Sequence, residues 1–322
     1  MGSVPSTSSS NGYQIPFDPL PRRPEQVNPS ALDPTPYPAG KSQGETTFRI
    51  RERHFYNIKS TTILQKDELT CNVTGITQLP DESIVLVDSM NCKVKLLDKT
   101  FKIVSQIRLP DWPMDVCIST DDIAAVTVCD KRQRHEVHFI SVKNNDLKTE
   151  KMFKLNHECS AIGSHDGYLY IGSFDTVFKY KPCGQLAAIV FQNRVEDNYF
   201  PTVQRLKINR QLNTMFVTDY RNNKIRILDL KGEQPKRSIR RPELAFPTGV
   251  SVTTKGHIFV CCCKNSVIMH VNDTDEDANI IATHADGVYR PEAIHFDEKT
   301  NSLIVGQSGD NLIVFFLEFC AA

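Results

Sequence analysis

Two aspartates in matching surroundings are the residues whose type and spacing most invite a chemical role. Asp88 ends the apolar run VLVD and Asp219 ends FVTD, and a short turn with an asparagine, Asn91 or Asn223, follows each. A pair of carboxylates can divide the work of general acid and general base. An aspartate at the start of a tight turn also accepts hydrogen bonds from the N–H groups of that turn. We predict this second, structural role for all four residues.

Cysteines and aspartates form two patterns typical of metal sites, and neither is complete. Successive side chains of a strand point to opposite faces, so the run Cys261–Cys263 cannot converge on one ion, and a closed zinc site needs four ligands. The alternating Asp273, Asp275 and Asp277 lack the glycine and the final glutamate of a calcium loop. We therefore predict no metal and no cofactor.

Several further motifs are missing from the sequence. There is no Gly-x-Ser-x-Gly nucleophile motif and no glycine-rich phosphate loop, so we predict no catalytic residues and a chain that is not an enzyme. Lysine plus arginine and aspartate plus glutamate number 38 each, and this zero net charge gives no general case for DNA. No secretion signal and no membrane-length apolar run occur, which predicts cytoplasmic, reduced thiols.

The spacing of the two aspartates predicts the elements that must position them. They lie 131 positions apart (219 − 88), which is three units of about 44, and strand-rich repeats of that length are typical of β-propeller blades. Each unit opens with a short apolar segment, and two further strands follow it. The equivalent opening positions are Gly75, Asp115, Ala161, Arg205, Gly249 and Ala293. Six openings predict six blades.

The last unit contributes three strands of its own, so the ring needs one more. Residues 54–63 form a spare strand that we expect to pair as the outer strand of the last blade and to close the ring. The predicted fold is thus an all-β, six-bladed propeller over residues 48–322. Residues 1–47 are rich in proline and serine, which predicts a disordered tail. The start of this tail fits the myristoylation pattern at Gly2.

The repeats resemble a known family. VLVDSMNCKVKLLD, FVTDYRNNKIRILDL and the opener FPTGVSV at 246–252 resemble NHL repeats. The opener VTGITQLPDESIVLVD is similar to those of the C-terminal propellers of TRIM–NHL proteins, especially invertebrate ones. The resemblance covers about residues 48–322 and implies a six-bladed recognition module. No RING, B-box or coiled-coil pattern occurs in the sequence, so the ubiquitin-ligase activity of the family is not carried over.

The loops of a propeller divide between two faces, and their composition differs. Loops from the second to the third strand, and loops between blades, share one face, and here they are rich in arginine and aromatic residues, the types enriched at interface hot spots. The loops of the opposite face are rich in acid. We predict partner contacts from Trp112, Arg132, Arg134, Phe174, Tyr199, Tyr220, Arg221, Arg240, Arg241, Tyr289 and Arg290. Lys264 lies in the same set of loops.

Three functions follow as hypotheses. The first is a non-enzymatic module that binds a macromolecule, most simply a protein, as target recognition related to TRIM–NHL ubiquitin-ligase systems. The second is single-stranded RNA binding on the same face, because the resemblance implies it and because aromatic rings between arginines suit stacked bases. The third is a calcium-dependent hydrolase of the lactonase type, whose six-bladed propellers hold a central ion.

Overall fold

The computed structural model of the chain describes residues 47–63, 65–129, 134–192, 203–230, 237–272 and 278–320. These residues form six four-stranded antiparallel sheets, and each sheet is one blade. No helix in these ranges has the length and apolar character to cross a membrane. The predicted six-bladed, all-β propeller is confirmed. Residues 1–46 of the predicted tail, with Gly2, lie outside the described residues, and Thr47 begins the first strand.

Strands β1 to β24 follow chain order, and their bounds are given blade by blade. The closing strand is β1 (Thr47–Asn57). Blade 1 has β2 (Val73–Gln78), β3 (Ile84–Asp88), β4 (Lys93–Leu97) and β5 (Ile103–Arg108). Blade 2 has β6 (Pro113–Thr120), β7 (Ile123–Cys129), β8 (His135–Lys143) and β9 (Asp146–Lys154). Blade 3 has β10 (Ala161–His165), β11 (Tyr168–Gly172), β12 (Thr176–Tyr180) and β13 (Leu186–Gln192).

The second half of the ring follows the same plan. Blade 4 has β14 (Val203–Asn209), β15 (Thr214–Asp219), β16 (Lys224–Asp229) and β17 (Arg237–Arg240). Blade 5 has β18 (Pro247–Val252), β19 (Ile258–Cys262), β20 (Val267–Val271) and β21 (Ala278–Ala282). Blade 6 has β22 (Pro291–Asp297), β23 (Ser302–Gln307) and β24 (Asn311–Cys320), and a short 3-10 helix, His284–Asp286, precedes it.

The strands are apolar on both faces because each blade is packed between two others. All five residues of β3, β4, β19 and β20 are buried, whereas most of the outer strand β13 is exposed. The core consists of clusters between neighbouring blades. In one of these, Val87 and Leu96 of blade 1 pack with Val116, Val126 and Ile140 of blade 2. Burial on both faces explains why the sequence shows apolar runs instead of strict alternation.

The closing strand pairs with the end of the chain, but its bounds differ from the prediction. β1 pairs antiparallel with β24 from Thr47 to Asn57, whereas the predicted strand covered residues 54–63. The early start has a physical cause, because Phe48 is buried edge-to-face against Phe259 within the core. From Ile58 onward the chain leaves the sheet and covers blade 1, where the Ile58 carbonyl accepts a hydrogen bond from Lys95.

The first strand of each blade contacts its two neighbours, so six first strands surround a central channel. The pairing of first and second strands slips by a bulge near the start of five blades, for example between Val73 and Gly75. A Cβ atom on Gly75 would lie 2.9 Å from the Cα of Asp115, and one on Gly249 would lie 2.9 Å from the Cα of Ala293. The close approach of the first strands therefore favours small residues at the six opening positions. Asp115 and Arg205, which are charged and larger, are the exceptions.

Candidate binding face and central cavity

Strands within a blade run antiparallel, so the turns between second and third strands lie on one face of the propeller. The turns between first and second strands lie on the opposite face. We call these the BC face and the AB face. Asp88 accepts a hydrogen bond from the side-chain amide of Asn91 at 2.8 Å, within the BC turn of blade 1. In blade 4, Asp219 accepts from the backbone N–H of Asn222 at 3.1 Å and from its side-chain amide at 2.9 Å. Both aspartates thus bond within their own turns.

The predicted turn residue Asn223 has a different partner from Asn91. It lies one position after the asparagine that bonds to Asp219, and its backbone adopts a left-handed conformation with φ of 49°. Its side-chain oxygen accepts the backbone N–H of Phe246 at 2.9 Å. Asn222 is therefore the equivalent of Asn91, while Asn223 fastens the turn to the opening of the next blade.

The blade 4 turn delivers Tyr220 and Arg221 to a continuous group on the BC face. The ring of Tyr220 stacks on that of Phe246, with centroids 4.7 Å apart, and the Lys264 ammonium lies 5.0 Å from the Phe246 centroid. The Arg221 guanidinium lies 5.5 Å from the centroid of Phe174. We call these five residues the cation–aromatic row; it joins blades 3, 4 and 5.

The other residues predicted for this face do not all meet the row. Burial raises the pKa of the Tyr220 hydroxyl, and Cys263 and Glu292 add to the shift while Arg290 opposes it, so Arg290 is an electrostatic neighbour of the row. Arg134, Arg240, Tyr289 and Arg290 are exposed, and Trp112 and Arg241 are half-buried. Arg132 and Tyr199 lie outside the described residues. The residue that sequence reasoning missed is Phe246; the signal was an aromatic before the proline of FPTGV.

Within the channel, Arg205 and Asp115 occupy two of the six opening positions. The Arg205 guanidinium donates to the backbone carbonyls of Thr74 at 2.9 Å and of Ser160, just before β10, at 3.0 Å, so this buried cation connects blades 1, 3 and 4. Asp115 accepts the backbone N–H of Ile162 at 3.0 Å. Burial raises the pKa of Asp115 to about 6, although Arg205 opposes the shift. A channel held by Arg205 presents positive charge where a central calcium ion would lie, so the described channel residues do not fit that ion.

Below Arg205 the channel widens into a cavity of about 390 Å³ that opens toward the AB face. Its wall includes Lys207 and Arg210 from blade 4 and Cys117 from blade 2. Burial lowers the pKa of Lys207, and Asp115 raises it. Within the part of the chain that the structure describes, Lys207 donates no hydrogen bond and forms no ion pair. The cavity therefore holds a half-buried cation that has no acceptor among the described residues.

His295 also lies on the cavity wall, and hydrogen bonds through Gln78 fix which of its ring nitrogens carries the proton. The Gln78 amide donates to Asp297 at 3.3 Å, and its oxygen lies 3.2 Å from His295 Nε2. The imidazole must therefore donate from Nε2, which leaves Nδ1 as an acceptor, and among the described residues Nδ1 has no partner. Burial and the Lys207 ammonium lower the pKa of His295 to about 3, so the ring is neutral at neutral pH.

Sequence reasoning placed the functional face at the other end of the channel and missed this cavity. The signal was the period of two along the first strands: Arg205 and Lys207 share one side of β14, and Ala293 and His295 share one side of β22. The acidic loops predicted for the AB face are partly neutralised. Glu82, for example, pairs with Lys299 at 2.8 Å.

No protein-family model and no curated protein matches the sequence. Among solved structures, the chain is similar to a virginiamycin B lyase from Staphylococcus aureus, with a TM-score of 0.56 and 14% identity over 86% of this chain and 89% of that one. A streptogramin B lyase gives a TM-score of 0.58 and 13% identity over 83% and 98% of the two chains. An auxiliary nutrient binding protein from Bacteroides thetaiotaomicron gives 0.62 and 11% over 83% and 76%. At these identities the likeness establishes the propeller fold alone.

The comparisons correct one prediction. The chain was predicted not to be an enzyme because it lacks a local catalytic motif, and that prediction is wrong as an inference from sequence. Lyases share this fold. In a propeller, side chains from six separate blades meet in one channel, so a functional group of residues leaves no short motif in the sequence. His295, Gln78 and Lys207, from blades 6, 1 and 4, line one cavity although they lie far apart in sequence.

Proposed function

We propose that this propeller binds a partner protein through its BC face and that the partner contributes an acidic segment to the contact. The observation that carries the proposal is the cation–aromatic row. Arg221 is exposed and packed on Phe174, and Lys264 is exposed and packed on Phe246. Cations held on rings lose less conformational entropy when they meet a carboxylate, and arginine and tyrosine are the residue types enriched at interface hot spots.

Protein is favoured over RNA because the rings are already covered. The Phe246 ring carries both the Tyr220 ring and the Lys264 ammonium, and the Phe174 ring carries a guanidinium. Bases bind such proteins by stacking on free aromatic faces. Covered rings instead serve to orient the cations toward a carboxylate. The NHL-like repeats support a recognition role, as in the propellers of TRIM–NHL proteins.

The test uses a display library of acidic and neutral linear peptides, followed by fluorescence polarisation with the best acidic binders. The double variant Arg221→Glu, Lys264→Glu should lose at least tenfold in affinity, because each change replaces attraction with repulsion. The matched control is Lys148→Glu with Lys255→Glu, which has the same charge change at exposed positions away from the row. Equal affinity of the two double variants, or no acidic preference in the library, would contradict the proposal.

The same proteins also test the RNA hypothesis, because binding through phosphates depends strongly on salt. A single-stranded oligouridine should bind the wild type weakly, and any binding through phosphates should fall steeply between 50 and 200 mM salt. Tight oligouridine binding that is lost in the Arg221→Glu, Lys264→Glu variant would favour RNA as the partner. Peptide binding without oligouridine binding would support the protein partner.

A second candidate function belongs to the central cavity, and Lys207 is the observation that favours it. We propose that the cavity takes a small molecule with an anionic group for Lys207. This lysine makes no hydrogen bond or ion pair with the described residues, and Arg210 on the same wall adds a second positive charge. The lyases of this fold support a cavity with chemistry of its own.

Thermal shift with a panel of small carboxylates and phosphate monoesters tests the cavity. A fitting molecule should raise the melting temperature of the wild type, and Lys207→Met should abolish the shift. Lys255→Met, which changes an exposed lysine of the AB face, is the control and should respond like the wild type. A shift that survives in Lys207→Met would place the ligand elsewhere. A panel without any hit would remove the support for this second function.

A further inference from the structure

Two groups of metal-ligating atoms converge in the described residues, and they differ in one respect. The first consists of Asp67, Cys71 and Asp88 in blade 1, and the second of Cys129, His135 and Cys159 at the boundary of blades 2 and 3. In the first, Lys95 already supplies a cation, because its ammonium lies 2.7 Å from Asp67, 2.9 Å from Asp88 and 3.4 Å from the Cys71 sulfur. A metal ion would have to displace Lys95, so the first group is complete as it stands.

The second group comes from three separate elements. Cys129 is the last residue of β7, His135 is the first residue of β8, and Cys159 lies in the connection that leads into blade 3. The Cys129 sulfur lies 3.2 Å from Nδ1 of His135, and the three ligand atoms all lie within 4.8 Å of one another. Pairing of β7 and β8 sets the first two side chains opposite each other, and the packing of blade 3 brings in the third.

We infer that Cys129, His135 and Cys159 bind one soft divalent ion of the Zn²⁺ class. Zinc takes thiolate at about 2.3 Å and imidazole at about 2.0 Å in tetrahedral geometry, which sets its ligand atoms about 3.6–3.8 Å apart. The observed spacing is within about 1 Å of that arrangement. Thiolate and imidazole ligands favour zinc, whereas magnesium and calcium favour oxygen ligands.

Among the described residues the site has three protein ligands. His157 is near in sequence, but its Nδ1 bonds to the Glu158 carbonyl at 2.6 Å and its Nε2 to the Tyr180 hydroxyl at 2.8 Å. Both of its nitrogens are engaged, so this histidine does not supply a fourth ligand. Cys159 is fully buried and Cys129 nearly so, whereas His135 is partly exposed and offers the route of entry.

The Cys159 thiol donates to the Val128 carbonyl at 3.3 Å, and the Cys261 thiol donates likewise to the Ala293 carbonyl at 3.6 Å, so a thiol hydrogen bond does not distinguish the two. The difference lies in the neighbours of the buried run Cys261–Cys263. No other described histidine, aspartate or glutamate converges with these thiols into a ligand group. The Cys129 group is therefore distinguished by chemistry and by geometry together.

Titration of the reduced, full-length protein with Co²⁺ tests the inference. Thiolate ligands should give sulfur-to-cobalt charge-transfer absorption together with the intense ligand-field bands of tetrahedral cobalt, and one equivalent of Zn²⁺ should abolish both. Cys159→Ser should weaken cobalt binding by more than the roughly 10–100-fold that follows loss of a group hydrogen-bonded to a metal ligand. The control Cys183→Ser removes an exposed thiol and should titrate like the wild type.

A second measurement needs no variant. X-ray absorption of the zinc-loaded wild type should show two sulfur neighbours at about 2.3 Å and nitrogen or oxygen neighbours at about 2.0 Å. The inference is overturned if the zinc neighbours contain no sulfur, if the cobalt spectrum persists unchanged in Cys159→Ser, or if one equivalent of cobalt gives no charge-transfer band. It is also overturned if the protein purified in air and then treated with mild reductant retains a Cys129–Cys159 disulfide in place of metal.

Discussion

Blades 1 and 4 contain the same local sequence and use it in opposite ways. The shared pattern is Asp, two residues, Asn, one residue, Lys, an apolar residue and a second basic residue, at 88–95 in blade 1 and 219–226 in blade 4. In blade 1 the second basic residue, Lys95, is fully buried and bonds to Asp88 and Asp67. In blade 4 it is Arg226, which is 11% exposed and bonds to Asp219 at 2.9 Å.

The difference comes from what covers each turn. In blade 1 the segment that follows the closing strand lies over the turn and contributes Asp67, which also pairs with Lys93 at 2.6 Å. Two lysines and two aspartates then form a neutral, buried network. In blade 4 the Arg226 guanidinium packs on the Phe191 ring at 5.5 Å, and the turn residue Arg221 stays exposed. The same motif thus forms a covered, buried network in blade 1 and leaves an exposed turn in blade 4.

The largest expected effect comes from Lys95→Met. Removing this ammonium leaves Asp67 and Asp88 buried without their shared cation, and breaking a buried ion pair from one side costs about 3–5 kcal/mol. Urea unfolding followed by fluorescence should show this loss. Lys66→Met is the control, because Lys66 is exposed in the same segment and should change stability little. A loss below about 1 kcal/mol would mean that blade 1 does not depend on its network.

Asp67→Asn tests the segment that distinguishes blade 1, and it carries a pH signature. Burial alone would raise the pKa of Asp67, but hydrogen bonds from Lys93 and Lys95 hold it below 3.8. The stability it contributes is therefore present above pH 3.8 and is lost as the pH falls through the folded-state pKa. At pH 7 the variant should be less stable by about 2–3 kcal/mol. The difference in unfolding free energy between wild type and variant should be smaller at pH 3 than at pH 7. A difference that stays constant would contradict the role of the ionised carboxylate.

The repeat allowed much of the fold to be predicted from sequence, because blade length follows from local patterns. Asp88 and Asp219 set the unit, and the small residues at Gly75 and Gly249 mark where first strands approach closely. The closing strand was placed seven residues late. HFYNIKSTTI has strand-like residues throughout, and only the tertiary contacts of Phe48 decide that the sheet begins at Thr47.

The candidate sites were less predictable, because they join residues far apart in sequence. Tyr220 and Arg221 were placed on a face by their turn, but the stacking of Tyr220 on Phe246 depends on the next blade. His295 gains its free Nδ1 from Gln78, which lies 217 positions earlier. Cys129 and Cys159 lie 30 positions apart (159 − 129) and meet only where blades 2 and 3 pack together. Contacts of this range leave no local pattern.

Arg226→Met is the counterpart of Lys95→Met in blade 4, and we expect a smaller loss of about 1–2 kcal/mol. Asp219 keeps its hydrogen bonds from Asn222, and Lys224 lies 3.8 Å away to compensate part of the charge. The same urea unfolding experiment measures both variants. If Arg226→Met and Lys95→Met cost the same, the cover supplied in blade 1 is not what separates the two blades.

The smallest effect concerns the position before the first lysine of the motif, where both turns adopt a left-handed backbone. Cys92 has φ of 53° and Asn223 has φ of 49°. Asparagine tolerates this conformation better than cysteine, so Cys92→Asn should stabilise the protein by about 0.5 kcal/mol.

The reverse change, Asn223→Cys, should cost about 1–1.5 kcal/mol, because it adds backbone strain and also leaves the Phe246 N–H without its acceptor. The two effects should therefore differ in sign and in size if the Asn223 side chain fastens its turn to blade 5 while the Cys92 sulfur bonds within its own turn, to the Ser89 carbonyl. Thermal unfolding resolves the direction of each change. Equal and opposite shifts would mean that backbone conformation alone separates the turns, and the hydrogen bond to Phe246 would then contribute no stability.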